Sequence, residues 1–215
     1  MLKTQLPSVF TRSKILFGGI CFAAMLCSSA TAQETSPVFM VEENWEMVIN
    51  EPDVAINSPQ VAFFLYPDAD CSTCYFQLQM NYAAEAGYSS GGFRVGAFVD
   101  EQPVDDERSQ IQQCLAWDGD TIRWTSAVAV FDGKVMMAVK DGFGWQWGAF
   151  GGPEYLVEMS GQDIHDLNHY TPETSAASVD IGFGKNRVAS IHLKSVRITL
   201  ADGTVRTINV DQQVH

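Results

Sequence analysis

Over much of the chain apolar and polar residues alternate one for one, a period of two that suits a strand and that a helix cannot accommodate. Ile122, Trp124, Val128 and Val130 fall on one face of a run whose other face carries Arg123 and Thr125. Val135, Met137 and Val139 alternate with Lys134, Met136, Ala138 and Lys140. Phe76, Leu78, Met80 and Tyr82 alternate with Gln77, Gln79 and Asn81, and Phe93, Val95, Ala97 and Val99 repeat the pattern after Gly91-Gly92. Further strands are predicted at 45–49, which Glu51-Pro52-Asp53 stops, and at 60–66, 179–183, 187–200 and 204–210. The segment Gln60 to Tyr66 (QVAFFLY) is nearly all apolar, so it is expected to be covered on both faces. Between 187 and 200 the inward set passes from Ile191 and Leu193 to Val196 and Ile198, which predicts a β-bulge around Lys194-Ser195.

The turns support the same reading. Asp118-Gly119, Asp132-Gly133 and Asp202-Gly203 each stand beside alternating runs, and Asp-Gly suits a type I′ hairpin because both central residues need positive φ. Helix is scarce; 162–169 is the best short candidate. About ten short strands in one domain-sized chain predict an all-β fold, an antiparallel β-sandwich. No linker or internal repeat divides it, so a single sandwich domain is expected over 33–215.

Residues 1–32 break the pattern. Lys3, Arg12 and Lys14 precede an uninterrupted apolar stretch from Ile15 to Cys27, and Ala30-Thr31-Ala32 then offers the small side chains signal peptidase requires. This reads as a signal peptide, too short in its apolar part for a membrane span, and it predicts a secreted, periplasmic or envelope protein. The residues before Cys21 and Cys27 do not have lipobox order. The chain has 26 acidic against 13 basic residues and a formal charge of −13, which becomes more negative once the leader takes its three basic residues away. Such a surface repels phosphate backbones and anionic lipid, which argues against nucleic acid and membrane surfaces as partners.

Cys71, Cys74 and Cys114 remain after cleavage, an odd number for an oxidising compartment. Cys71 and Cys74 are close enough in the chain to form a disulfide, leaving Cys114 as a small buried hydrophobe. Cys71-Ser72-Thr73-Cys74 after a buried strand also opens the way to a thioredoxin-like thiol–disulfide oxidoreductase. Against that stand the period-two alternation after Cys74, where that fold needs a helix, and the lack of proline between Pro103 and Pro153.

Other chemistry is sparser. Glu51-Pro52-Asp53 begins like a glycosidase strand of the Glu-x-Asp-x-x-Glu kind, but Ile56 stands where the third acid belongs. Asp68, Asp70, Asp100, Glu101, Asp105, Asp106 and Glu107 offer oxygens without the spacing of a calcium loop, and read as solvated surface. His165 and His169, four apart, lack a third metal ligand and read as surface histidines. No nucleophile elbow or triad can be placed. The expectation is therefore no enzyme, no cofactor and no metal. Trp145 and Trp147 flank Gln146 in a glycine-rich stretch; if it is extended, both indoles leave one face, as a sugar-stacking platform would need. Core packing is the other reading, since large aromatics dominate sandwich interiors. The pair is the ligand-binding candidate.

The order of several loose motifs carries a resemblance. They are Asn44-Trp45-Glu46-Met47-Val48-Ile49, Ser58-Pro59-Gln60, Phe76 to Asn81, Gly91-Gly92, Trp147-Gly148-Ala149-Phe150-Gly151-Gly152, and Gly182-Phe183-Gly184-Lys185-Asn186-Arg187-Val188. In that order they resemble the concanavalin A-like lectin/glucanase (laminin G-like) sandwich of secreted bacterial proteins. The resemblance implies a non-catalytic, lectin-like module that binds an extracellular glycan or polysaccharide, or a cell-surface component. The alternative is a structural or adhesive envelope protein that meets other proteins. The disulfide and calcium residues usual in laminin G domains have no counterparts here.

Overall fold

The computed structural model describes residues 36–50, 58–67, 73–81 and 91–215. The expected leader, Glu51-Pro52-Asp53, Asp68, Asp70, Cys71 and Tyr82 lie outside the described residues. Strands in the described part form two antiparallel sheets. The larger runs in the order β12 (Val205–Gln213), β11 (Val188–Leu200), β1 (Val38–Ile49), β6 (Thr121–Phe131), β7 (Lys134–Gly144) and β8 (Gly148–Phe150). β9 (Leu156–Ser160) pairs with the first half of β7. The smaller sheet runs β10 (Val179–Phe183), β2 (Gln60–Leu65), β3 (Cys74–Met80), β4 (Phe93–Val99) and β5 (Gln102–Arg108).

The inner faces of the two sheets meet through aromatic rings. Trp45 of β1 lies opposite Trp124 of β6, and their indoles stack at 6.2 Å and 8°. Phe63 of β2 presents its edge to both, at 5.2 and 4.7 Å, so three rings lock one sheet to the other. A second cluster joins Phe93 of β4 to Phe150 of β8 at 5.4 Å and to Tyr155 at 4.8 Å. The near-complete apolarity of β2 has its own explanation. One face is core, while Phe64 and Tyr66 pack outward against Tyr75, which stacks on Phe98 at 4.9 Å.

Adjacent glutamates on β1 fall on opposite faces of the sheet, as alternation demands. Glu42 points outward, where Lys140 of β7 and Arg197 of β11 close over it. Burial alone would raise its carboxyl, but the hydrogen bonds from Lys140 and Arg197 prevail and hold it below the usual range. Glu43 points inward and is buried; it accepts hydrogen bonds from Trp45 Nε1 (2.9 Å) and from the Tyr170 hydroxyl (2.8 Å). Desolvation pushes the Glu43 carboxyl up despite those donors, and burial beside Glu43 pushes the Tyr170 hydroxyl up as well.

The predicted bulge is present: the register against β1 passes from Asn44↔Ser195 to Trp45↔Leu193, so Lys194 is the extra residue. Asp132-Gly133 forms the expected tight turn, with φ of 51° and 72°. The other two Asp-Gly pairs differ. Asp118-Gly119 turns the chain into β6 without a hairpin, because no strand precedes it. At Asp202-Gly203 only the glycine has positive φ, and a three-residue loop closes with Leu200 N donating to Thr204 O at 2.8 Å. A glycine-free pair, Asp100-Glu101, makes the β4–β5 turn with both φ positive, 50° and 62°.

The helix expected over 162–169 is not there. Ile164 and Leu167 are buried in the core, but Asp166 Oδ1 accepts from Asn168 N at 2.9 Å and Asn168 Oδ1 accepts from Val38 N. These short polar side chains offer the backbone partners that compete with a helical turn. A short helix, α1 (Pro172–Ala177), follows instead, with Thr171 as N-cap and proline at its start. Among the described residues no helix is long and apolar enough to cross a membrane.

Candidate functional site

Where β7 runs out at Gly144, the chain turns through Trp145-Gln146-Trp147 and returns as β8, with Gly148 at a φ of 68° allowing the reversal. The extended run that would have put both indoles on one face is therefore absent. In a turn, side chains two apart no longer share a face, and the two indoles separate. Trp145 is 71 % exposed, whereas Trp147 is 9 % exposed and belongs to the core cluster. The Trp147 ring meets Phe150 edge-on at 5.3 Å, and its Nε1 donates to Gln113 O at 2.8 Å. Trp147 is therefore an interior packing residue with its one polar atom satisfied.

A different aromatic shares the exposed tip with Trp145. The segment before β6 is anchored by Asn81, whose Oδ1 accepts from Leu115 N at 2.8 Å, and by buried Arg187, which donates to Ala116 O at 3.0 Å. Gly119 N donates to Ile49 O, and Ile49 N donates to Asp120 O, both at 2.9 Å. This rigid loop carries Trp117, 57 % exposed. Trp117, Asp118, Gly119, Asp120 and Trp145 line a cleft of about 280 Å³. Phe143, also exposed, meets Trp145 edge-to-face at 6.4 Å.

Two polar side chains pin the indole-bearing segments to each other. The Asp120 carboxylate, 3 % exposed, accepts from Trp145 N at 2.8 Å and from Gln146 N at 3.1 Å. In return Gln146 Oε1 accepts from Ala116 N at 2.6 Å and from Trp117 N at 3.2 Å. Each segment thus supplies the side chain that holds the other's backbone. The Asp120 bonds to Trp145 N and Gln146 N are charge-assisted and so among the stronger hydrogen bonds, the Gln146 bonds to Ala116 N and Trp117 N join neutral groups, and together they hold both tryptophan backbones while the rings stay in solvent. Gly144 belongs to this arrangement: a Cβ there would come within 3.2 Å of Ile122.

The cleft brings two exposed indoles, Trp117 and Trp145, together with the carboxylates of Asp118 and Asp120. Trp117, Asp120 and Gln146 were not singled out by sequence. Trp117 beside an Asp-Gly turn was a usable signal; the cross-bonding of Asp120 and Gln146, 26 positions apart, left none.

The remaining expected residues fall elsewhere. Cys71 lies outside the described residues, while Cys74 is fully buried at the head of β3, a strand antiparallel to both neighbours. No helix N-terminus therefore stands at Cys74 to favour a thiolate. Cys114 is a free, part-buried thiol, and burial pushes it up. His165 sits in irregular chain, highly exposed and paired with Asp163, so the helical i, i+4 geometry with His169 does not exist. Asp106 is held by Arg94 and Arg108, and Asp105 caps Glu158 N at 2.9 Å. Among the described residues no group of three His, Cys, Asp or Glu could hold a metal ion. Compared with known proteins, the chain matches no family model, and no curated protein matches it.

Proposed function

We propose that this protein is an exported, non-catalytic glycan-binding module that stacks sugar rings on Trp117 and Trp145. One observation carries the reading: two largely exposed indoles line one cleft, and reciprocal bonds through Asp120 and Gln146 immobilise their backbones. Exposed tryptophan costs solubility and gains nothing in folding, so holding two of them rigid is a feature of recognition. The lectin-like resemblance and the leader sequence point the same way. Trp147 takes no part in the cleft and packs in the core against Phe93 and Phe150.

A glycan array probed with the purified protein tests this. Binding to a defined class of oligosaccharide, lost in Trp145→Ala and Trp117→Ala, is expected; silence across the array removes the proposal. The Cys71–Cys74 bridge belongs to the same reading of an exported protein. It is checked by the mass difference on reduction and alkylation of the denatured chain, where only Cys114 should alkylate before reduction.

A second reading, a structural or adhesive envelope protein, draws on β12. This strand closes one edge of the larger sheet, is exposed on both faces and carries Val205 and Ile208 in solvent. Edges of this kind add partner strands. Cross-linking to envelope protein with no sugar dependence favours that reading over the first.

A further inference from the structure

Proline, charge, brevity and bulges are the devices that keep the edge of a sheet from pairing with another chain. Among the described residues three of the four edges use them. β5 carries Pro103 with Asp105, Asp106, Glu107 and Arg108, and Asp105 ties it to β9 by accepting from Glu158 N at 2.9 Å. On the far side of the larger sheet β8 has three residues and β9 five. β10 also has five, with Asp180 among them and a register shift between Ile181 and Phe183. The fourth edge is different. The ladder of β12 with β11 runs unbroken over 205–209, without proline or acid, and every residue of that stretch is exposed. Its one charge is Arg206.

Hydrogen-bond alternation fixes which groups this edge offers. Leu200 N donates to Thr204 O where the hairpin closes, so Arg206 and Ile208 are the next residues bonded to β11. Val205, Thr207 and Asn209 therefore turn their N–H and C=O groups away from β11. Charge selects the occupant. With 26 acidic against 13 basic residues, two copies of this chain repel over most of their surface. At 205–209 they can meet without setting carboxylate against carboxylate. Laid antiparallel about a two-fold axis at Thr207, the stretch also complements itself. Thr207 faces Thr207 of the second copy, Val205 faces Asn209 and Arg206 faces Ile208, so no like charges stand directly opposite. We propose that β12 is a dimerisation edge, to which a second copy of this chain adds its own β12 through Val205, Thr207 and Asn209. The dimer is independent of sugar binding, and it fills the edge that the envelope-protein reading leaves for another protein.

Sedimentation velocity of the purified protein over a dilution series tests this. So short a seam is smaller than a standard interface, so a dimer is expected at about 100 μM that dissociates toward about 1 μM. Thr207→Pro removes an outward N–H and no bond to β11, and should raise the dissociation constant at least about tenfold. In a Cys114→Ser background, Thr207→Cys places a thiol on the axis. Residues facing each other across an antiparallel pair stand about 5.5 Å apart at Cα, within disulfide range, so mild oxidation should link two copies. Ile208→Cys, which faces Arg206 of the second copy, should link far fewer. A monomer at every concentration overturns the proposal, as does a dimer that Thr207→Pro does not weaken and Thr207→Cys does not trap. Capture of another protein through β12 by a chain that itself stays monomeric overturns it too. A thermal melt of Thr207→Pro matching the unmodified protein shows that the edge and not the fold has changed; if that variant unfolds, the Thr207→Cys cross-link decides.

Discussion

Trp145 and Trp147 stand on either side of one glutamine and belong to two different regions of the molecule. Below the tip, Trp147 joins Phe93 and Phe150 between the sheets, and its only polar atom is bonded to Gln113 O. At the tip, Trp145 keeps most of its indole in water beside Trp117, while its backbone is held by Asp120. One region uses an aromatic ring for volume; the other uses it as a surface. The difference lies in what is immobilised. In the core the side chain is fixed by its neighbours, whereas at the tip the main chain is fixed so that the side chain can remain available.

The largest expected effect tests the core half of that contrast. Trp147→Ala removes a ring packed against Phe93 and Phe150 and should cost about 3–5 kcal/mol in urea unfolding. A loss under about 1 kcal/mol would place Trp147 with the surface tryptophans.

Asp120→Ala comes next. It strips the partners from Trp145 N and Gln146 N and should cost about 1–3 kcal/mol. It should also weaken sugar binding more than its stability loss explains, because both indole-bearing segments loosen. If affinity is untouched, the cross-bonding has no part in recognition.

Glu43 extends the contrast to a carboxyl buried in the interior. Its folded carboxyl is raised above the usual value near 4.5, so its contribution to stability is complete below that pH and is lost as pH rises through the folded value. Glu42, held low by Lys140 and Arg197, behaves in the opposite sense: its contribution is present above its unfolded value and lost as pH falls through the folded one. Over the pH range above the usual glutamate value, Glu43→Gln should therefore flatten the pH dependence of the melting temperature. An unchanged slope would mean that Glu43 does not titrate in that window.

Trp145→Ala should change stability least, within about 0.5 kcal/mol, because the lost ring was in solvent and its backbone bonds remain. Its effect should fall on ligand binding. A destabilisation comparable to that of Trp147→Ala would erase the distinction between the two regions.

Local chemistry made much of the sandwich legible. The alternation in β3, β4, β6 and β7 reports strands because successive Cβ atoms leave opposite faces, a property that needs no distant partner. The turn at Asp132-Gly133 and the bulge at Lys194 likewise follow from a few neighbouring residues. What escaped was set by partners. The β5 strand is an edge strand rich in acids (QPVDDER), so it lacks a buried face to give it a pattern. The 162–169 segment has helix-compatible apolar spacing, yet Asn168 is occupied with Val38 N from far along the chain.

The tip marks the boundary most sharply. Sequence alone determined that aromatic residues would crowd the end of β7 and that an Asp-Gly turn would sit beside Trp117, since both follow from adjacent residues. Tertiary structure decided which indole is buried, and it made Asp120 and Gln146 the residues that hold the exposed pair in place. Burial and hydrogen bonding between segments 25 to 30 positions apart depend on how the two sheets close, and no local pattern records that.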